Sequence, residues 1–338
     1  MTKLFSDKKK IRSGGGHIHM ALPVLLCLLT LSGCGQKLEQ KYDADMGLMR
    51  MNSINMAMTE TSHADGFSVG LALPGETTFN ADEITAQAAL IVPFGQEDPQ
   101  PVAYKNPYVR TYPASITKVM SALVCLRHFD DLQQEFTVTK NSDINVSGSS
   151  KAWIRPGETL TIEDLLYGML LPSGNDAAVA IAEATCGSVD AFVDEMNQTA
   201  LEIGATGTHF VNPHGLPDDN HYTTPYDIYL TMNEVMKYDA FRKIVGTVNY
   251  SPSYKDSNGM PKTQNWSVTN RYMLGEVETP EGLKVLGGKT GTTNAAGYCL
   301  TMGVQKTSTG EEYISTVMKA ETKDELYKNM TNLISKAR

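Results

Sequence analysis

The order in which strand-forming and helix-forming stretches fall along this 338-residue chain leaves few folds open. Short apolar runs of strand character lie towards both ends, and helix-forming stretches fill the middle. Residues 88–92 are an apolar run stopped by Pro93, and residues 102–104 are a second after an acidic, proline-containing turn, so the two predict a strand pair. Residues 283–289, 297–304 and 313–318 are β-rich runs separated by Gly, Thr and Asn, and predict three neighbouring antiparallel strands. In the middle, Pro113 stands where a helix would begin, and the apolar stretch from there to Leu126 holds no breaker. Residues 141–156, rich in Ser, Gly and Asn, predict a loop. Thr161 with Asp164 predicts a capped helix over 162–171, stopped by Pro172, and helices over 176–184 and 189–201 follow. Thr224-Pro225 predicts another over 226–236. Residues 244–250 and 262–268 flank Asn258-Gly259, a hairpin signal, and residues 325–335 predict a closing helix. Strands from both ends can bury their faces by joining one sheet, which predicts one domain of two lobes, sheet and helical, with a groove between.

The first residues carry a different signal. Lys8, Lys9, Lys10 and Arg12 precede an uncharged apolar run, 20–31, that is short for a bilayer span and ends in Leu31-Ser32-Gly33-Cys34. This is the pattern of an export signal, and its end resembles the lipobox of bacterial lipoproteins, which implies cleavage after residue 33 and lipidation of Cys34. A plain signal peptide and an uncleaved anchor are the alternatives, and all three put the bulk of the chain outside the cytoplasm. Residues 34–82 show little periodicity and scatter Met46, Met49, Met51, Met56 and Met58 among polar residues. They predict a flexible tether lifting a domain of residues 83–338 off the membrane. Loss of residues 1–33 removes five basic groups and one acid, taking the net charge from −9 to −13. That argues against nucleic acid as a partner, since phosphate binding needs a basic face. Cys125, Cys186 and Cys299 are the thiols beyond Cys34; an odd number without Cys-x-x-Cys predicts buried free thiols rather than a disulfide framework.

Three short motifs carry chemistry. Ser115 and Lys118, three apart on one helix face, can bring hydroxyl and amine together, as a serine nucleophile with an amine base requires. The spacing alone is weak evidence, since Ser6-Asp7-Lys8-Lys9 has it too. Ser173-Gly174-Asn175 follows Pro172, and Lys289-Thr290-Gly291 closes a predicted strand, which gives three elements in an order found in penicillin-binding proteins and class A β-lactamases. Their chemistry is coherent. Burial beside the Lys289 ammonium would lower the pKa of Lys118 and free it to act as base. Ser173 can relay a proton to a leaving amine, and the Asn175 amide can hold a substrate backbone by donor and acceptor together. Gly291 can let a substrate lie along the strand edge as an added strand.

Together with Gly148-Ser149-Ser150, Arg155-Pro156-Gly157 and the run from Thr208 to Leu216, these motifs resemble the serine D-alanyl-D-alanine carboxypeptidases, the low-molecular-mass penicillin-binding proteins. The resemblance covers residues 88–318. It implies an α/β (α+β) fold of the β-lactamase/transpeptidase type, a five-stranded antiparallel sheet flanked by helices beside a helical lobe. It also implies trimming of the terminal D-alanine from peptidoglycan stem peptides through an acyl-enzyme on Ser115, inhibition by β-lactam antibiotics, and no cofactor or metal. The backbone N–H groups of Ser115 and Thr292 would form the oxyanion hole, and Lys289, Thr290, Gly291 and Thr292 would bind substrate. With the lipobox, this places the protein outside the cytoplasm of a bacterium, lipid-anchored to the cell membrane.

The chain departs from its relatives in three ways. It ends too soon for their further β-rich domain or amphipathic anchor, a loss that a lipidated Cys34 could make good. Thr292 stands where some relatives have histidine. No arginine occurs between Tyr272 and Ala337, where relatives place one to grip the substrate carboxylate, so Lys319 or Lys323 with the Thr290 and Thr292 hydroxyls is expected to do this, more weakly. Two relatives in fold are rival readings. A β-lactamase would need a glutamate for its deacylating water, and no Glu-x-x-Leu-Asn follows Ser115; a non-catalytic β-lactam-sensing or wall-binding protein would not need the intact motifs. The rival of another chemical class is a metallohydrolase using His209, His214 and His221 with Asp218 or Asp219, although their spacing fits no helix-borne ligand pair.

Overall fold

The apolar run at 88–92 forms a strand, β1 (Ala88–Pro93), that buries both faces: Ala88, Leu90 and Val92 enter one core, Ala89 and Ile91 another. Only a strand covered on both sides can do this. In the computed structural model, which describes residues 78–337 apart from 81, 82, 98 and 145, β1 lies inside a five-stranded sheet. Its neighbours are β2 (Ala103–Lys105) and, from the far end of the chain, β9 (Leu283–Thr293), β10 (Gly297–Lys306) and β11 (Glu312–Ala320), in the order β2-β1-β11-β10-β9. All pairs are antiparallel, with Ala88 opposite Met318 and Lys289 opposite Thr301. The predicted strand pair and the predicted three-strand run thus join into the one sheet expected of a β-lactamase/transpeptidase-like fold. The stretch expected to be a signal peptide, Cys34 and nearly all of the expected tether lie outside the described residues. Phe79, within the stretch read as tether, packs into the second core with Ile84 and Ile334.

Helices cover both faces. The closing helix, Lys323–Ile334, lays Leu326, Met330 and Leu333 on the face that carries Ala89 and Ile91. The other face meets the helical lobe through one continuous core. Numbered in chain order, the helices are α1 (Lys118–His128), α2 (Ile162–Leu170), α3 (Asn175–Cys186), α4 (Val189–Glu202), α5 (Pro225–Val235), α6 (Asp239–Val245) and that closing helix, α7. The caps sit where the sequence places them. Thr161 and Asp164 form a reciprocal capping box at α2, Thr224 caps α5 with Pro225 in its first turn, and Gly187 ends α3 in the left-handed region.

Two expectations fail locally. Residues 244–250 are not one strand: Ile244 and Val245 end α6, where with Phe241 they bury an i, i+3, i+4 stripe, leaving only Asn249–Tyr250 as a short strand, β5. Helical spacing of the buried residues outweighs the β-branched composition. The Asn258-Gly259 turn does make a hairpin, but between β6 (Ser253–Lys255) and β7 (Pro261–Thr263), while β5 pairs with β8 (Trp266–Ser267). The hairpin joins β3 (Glu135–Thr137) and β4 (Thr159–Thr161) in a small second sheet that composition did not reveal. Cys125, Cys186 and Cys299 are free; Cys125 and Cys299 are buried and Cys186 is partly exposed.

Candidate active site

Ser115 does not lie on the α-helix proper. Ala114–Thr117 form a 3-10 turn, and α1 begins at Lys118. At three residues per turn, positions i and i+3 are eclipsed, so the tighter turn aligns the two side chains better than an α-helix would. Lys118 is wholly buried, with Nζ 2.7 Å from Asn175 Oδ1, 2.7 Å from the His214 carbonyl and 3.1 Å from Ser115 Oγ. Burial and then the Lys289 charge hold its pKa well below the usual lysine range. A neutral amine keeps two N–H donors and one lone pair. Asn175 Oδ1 and the His214 carbonyl can only accept, so the donors go to them and the lone pair is left facing the Ser115 hydroxyl. Asn175 thus has one lone pair of its oxygen engaged by Lys118, while its NH2 group and the second lone pair remain available as donor and acceptor.

The turn bearing Ser115 is held under strain. Ala114 has φ 49°, and its carbonyl accepts from Thr117 Oγ1 at 2.8 Å. Thr117 Oγ1 in turn lies 2.8 Å from His221 Nε2, while His221 Nδ1 accepts from the Val211 amide at 3.1 Å. That acceptance fixes the tautomer: Nε2 carries the proton and donates to Thr117. Burial pushes the His221 pKa down to about 4, so the ring stays neutral. Gly215 closes the arrangement. At φ 89° it lies so near Ala114 that a Cβ would sit 1.8 Å from the carbonyl oxygen. The histidine-rich loop thus buttresses the nucleophile. Its three imidazoles are used separately, with His214 Nδ1 accepting from Leu216 N and His209 Nδ1 beside Asn220 O. Among the described residues no group of three or more His, Cys, Asp or Glu side chains is gathered as a metal would need.

The other two motifs converge on the same place. Ser173, at φ 64°, has Oγ 2.9 Å from Lys289 Nζ, which also donates to the Thr290 carbonyl at 2.8 Å. Burial brings the Lys289 pKa down to about 7. Gly174 is pressed between Ala152 and the Gly168 carbonyl, where a Cβ would meet three atoms at 2.7 Å. Any side chain there would force those atoms apart. Gly291 has a similar reason: a Cβ would lie 2.9 Å from the Pro113 carbonyl and 3.0 Å from the Ser115 amide. Its bareness thus lets β9, the edge strand, close on the Ser115 turn, while Gly291 also lines the groove.

Two cavities, of 270 and 620 Å³, meet at Ser115, Ser150 and Thr292 and make one groove. The smaller also exposes Ser173, Thr269, Thr290, Tyr298 and Lys323; the larger exposes Asn175, Gly148 and the 214–217 loop. Thr290 Oγ1 is 2.5 Å from Thr269 Oγ1, a partner the sequence did not single out. Nor did it single out Thr117 and Tyr298, or His221 as a brace. A buried histidine and threonine carry no spacing signal, although Gly215 within the run from Thr208 to Leu216 could have suggested a close approach. Lys319 does not line the smaller cavity; Lys323 does.

A five-stranded sheet beside a helical lobe, with such a groove between, is the penicillin-binding and transpeptidase fold. The Streptomyces K15 DD-transpeptidase crystal structure matches at a TM-score of 0.69 and 27% identity, over 76% of this chain and 98% of that one. D-alanyl-D-alanine carboxypeptidase DacD from Francisella tularensis matches at 0.65 and 25% identity, over 82% and 76%. The family model for the S11 peptidases, D-alanyl-D-alanine carboxypeptidase, matches residues 75–322, and the chain belongs to that family. Among curated relatives, DacF of Bacillus subtilis is 32% identical over 252 residues, covering 74% of this chain and 61% of its own length. DacA of Escherichia coli is 29% identical over 275 residues, covering 79% and 62%. The chain therefore spans about three fifths of the length of these two relatives.

Proposed function

We propose that the protein is a serine-type D-Ala-D-Ala carboxypeptidase that removes the terminal D-alanine from peptidoglycan stem peptides through an acyl-enzyme on Ser115. The observation that carries this reading is the bonding of Lys118: two carbonyl acceptors take its N–H donors and direct the lone pair at Ser115 Oγ. Ser115 Oγ attacks the carbonyl of the penultimate residue, and its proton passes to Lys118 Nζ. The backbone N–H groups of Ser115 and Thr292, which both line the groove, stabilise the oxyanion. The C–N bond then breaks as the proton held by Lys118 passes to the departing amine by way of the Ser173 hydroxyl, itself bonded to Lys289, so that Lys118 is neutral again. Water cleaves the ester as the neutral Lys118 takes its proton and returns it to the departing Ser115 Oγ. The Asn175 NH2 group donates to a substrate carbonyl. Thr290, Thr292 and the Lys323 ammonium take the terminal carboxylate, and Gly291 keeps β9 close to the nucleophile. A β-lactam acylates the same oxygen.

The test pairs fluorescent penicillin labelling with D-alanine release from a synthetic pentapeptide, both with and without a chelator. One acyl group should be added to the wild type and none to Ser115→Ala, with the chelator changing neither readout. Undiminished labelling of Ser115→Ala would overturn the assignment.

The basic, apolar and Leu31-Ser32-Gly33-Cys34 segments support export by a signal of residues 1–33, lipidation of Cys34, and a tether of residues 34–82 carrying the catalytic domain at the outer face of the membrane. Among the described residues no helix is long and apolar enough to cross a membrane, so an anchor of that kind would have to lie elsewhere. Wild type should fractionate with membranes and carry labelled lipid, and Cys34→Ser should carry none. Recovery of the wild type as an unlipidated secreted protein would sink this part of the reading.

A further inference from the structure

Beyond the groove, a separate cavity of 340 Å³ is lined by Ser142, Asp143, Lys151, Trp153, Arg155 and Asp176 among others, and it shares no lining residue with the two cavities that meet at Ser115. It is nonetheless next door in the chain: Lys151 follows Ser150, and Asp176 follows Asn175. At its mouth Trp153 is 65% exposed. Its backbone has φ 62°, a left-handed conformation that a bulky aromatic rarely adopts. Four hydrogen bonds hold it there. Asp176 accepts from the amides of Ala152 and Ile154 at 2.8 and 3.2 Å, Trp266 Nε1 donates to the Ala152 carbonyl at 2.9 Å, and Gln264 donates to the Trp153 carbonyl at 2.9 Å. The bonds to Ala152 and Ile154 fix the two buried neighbours in the core, and with the Gln264 bond they leave the indole between them standing in solvent.

The rest of the lining suits a particular chemistry. Ser142 is 1% exposed, yet its hydroxyl has no hydrogen-bond partner. Lys151 lies 4.0 Å from Asp143 and 5.9 Å from the Trp153 ring centroid, while the Arg155 guanidinium has no ion pair among the described residues. Two cations and two carboxylates leave the cavity formally neutral. It offers donors and acceptors together beside an aromatic face, and that combination fits a ligand carrying hydroxyls and an acetamido group better than it fits an anion. We infer that this cavity is a carbohydrate subsite for an N-acetylhexosamine unit. An oligosaccharide of that class is the glycan that carries stem peptides, so the physiological identity of the ligand, though not the binding itself, rests on the function proposed above. A wall enzyme so equipped would hold the strand while the neighbouring groove works on its peptide.

The chain has two tryptophans, and Trp266 is buried and lines none of these cavities, so a change in tryptophan emission on adding ligand reports on Trp153. The intact protein is titrated with the N-acetylglucosamine tetramer, with emission and calorimetric heat followed in parallel. A saturable response is expected, absent in Trp153→Ala by both readouts. Arg155→Ala should weaken binding by roughly tenfold, the loss of one charge-assisted hydrogen bond. Maltotetraose, which lacks the acetamido group, and the free pentapeptide should give no response. Penicillin labelling of Trp153→Ala at Ser115 should equal that of the wild type, which separates a lost subsite from a lost fold. No heat and no emission change with the tetramer, equal binding of maltotetraose, or calorimetric binding that survives Trp153→Ala would each overturn the inference. If wild type binds the tetramer but takes up no penicillin, the subsite stands and the carboxypeptidase reading falls.

Discussion

Replacing Lys118 by methionine tests the centre of the mechanism with little change of volume. The thioether cannot accept a proton, so acylation should lose the contribution of a positioned general base, about 10²- to 10⁴-fold. The same substitution leaves the buried Asn175 Oδ1 and the His214 carbonyl without the donor 2.7 Å away from each. An orphaned buried acceptor costs about 1–3 kcal/mol, partly offset here because the amine's own burial cost disappears, so a net destabilisation of roughly 2 kcal/mol is expected. The assay is the second-order rate of acylation by a fluorescent penicillin across pH, with thermal unfolding of the same samples. In the wild type the rate should rise as pH rises through the depressed Lys118 pKa, because only the neutral amine accepts a proton. It should fall again near pH 7 as Lys289, with its pKa at about 7, loses the charge that holds Ser173. A Lys118→Met protein that unfolds earlier but acylates within threefold of wild type would refute the assignment of base, leaving Lys118 a structural group.

His214 and His221 have pKa values of about 3 and about 4 in the folded protein against an ordinary value of 6.5, so the unfolded chain binds more protons than the folded one in that interval. Their contribution to stability should be complete above about pH 6.5 and disappear as pH falls towards 3, and His221→Gln should flatten the decline seen in a series of melting temperatures; an unchanged slope would contradict the buttress described for Thr117. For substrate recognition, Lys323→Ala should narrow the preference in kcat/KM for a peptide ending in D-Ala-D-Ala over its C-terminal amide by roughly tenfold, whereas Lys319→Ala should leave it unchanged. If neither Lys323→Ala nor Thr292→Ala narrows that preference, the carboxylate is bound elsewhere.

Periodicity exposed the sheet and most helices in the sequence because each buries a regular set of side chains: β1 alternates between two cores, and α2 and α5 announce themselves by their caps. The stretch from Ile244 to Tyr250 misled because a short helix and a strand of the same composition differ only in which residues must be buried, and the partner deciding that is distant in sequence. The site divides in the same way. Ser115, Lys118, Ser173, Asn175 and Lys289 sit in short motifs whose local spacing is itself the signal, and the fold gathers them as two hydrogen-bonded groups, Ser115 and Asn175 on Lys118 and Ser173 on Lys289. The supports have no local signature. Thr117 and His221 are 104 positions apart, and Gly215 is needed only because the Ala114 carbonyl comes to lie against it. The same reasoning separates Lys323 from Lys319, four residues away. Lys319 is in the sheet, with φ 58° and its amide directed at Cys299 Sγ 3.4 Å away, whereas Lys323 opens α7 at the rim of the smaller cavity. Arg271, the guanidinium nearest in sequence to the missing one, is held by Glu276 and Asp324 at 3.0 and 2.7 Å and lies over Tyr327. Reaching a substrate carboxylate would cost it both ion pairs, so Lys323, which has no ion pair among the described residues, is the cation that can move to meet it.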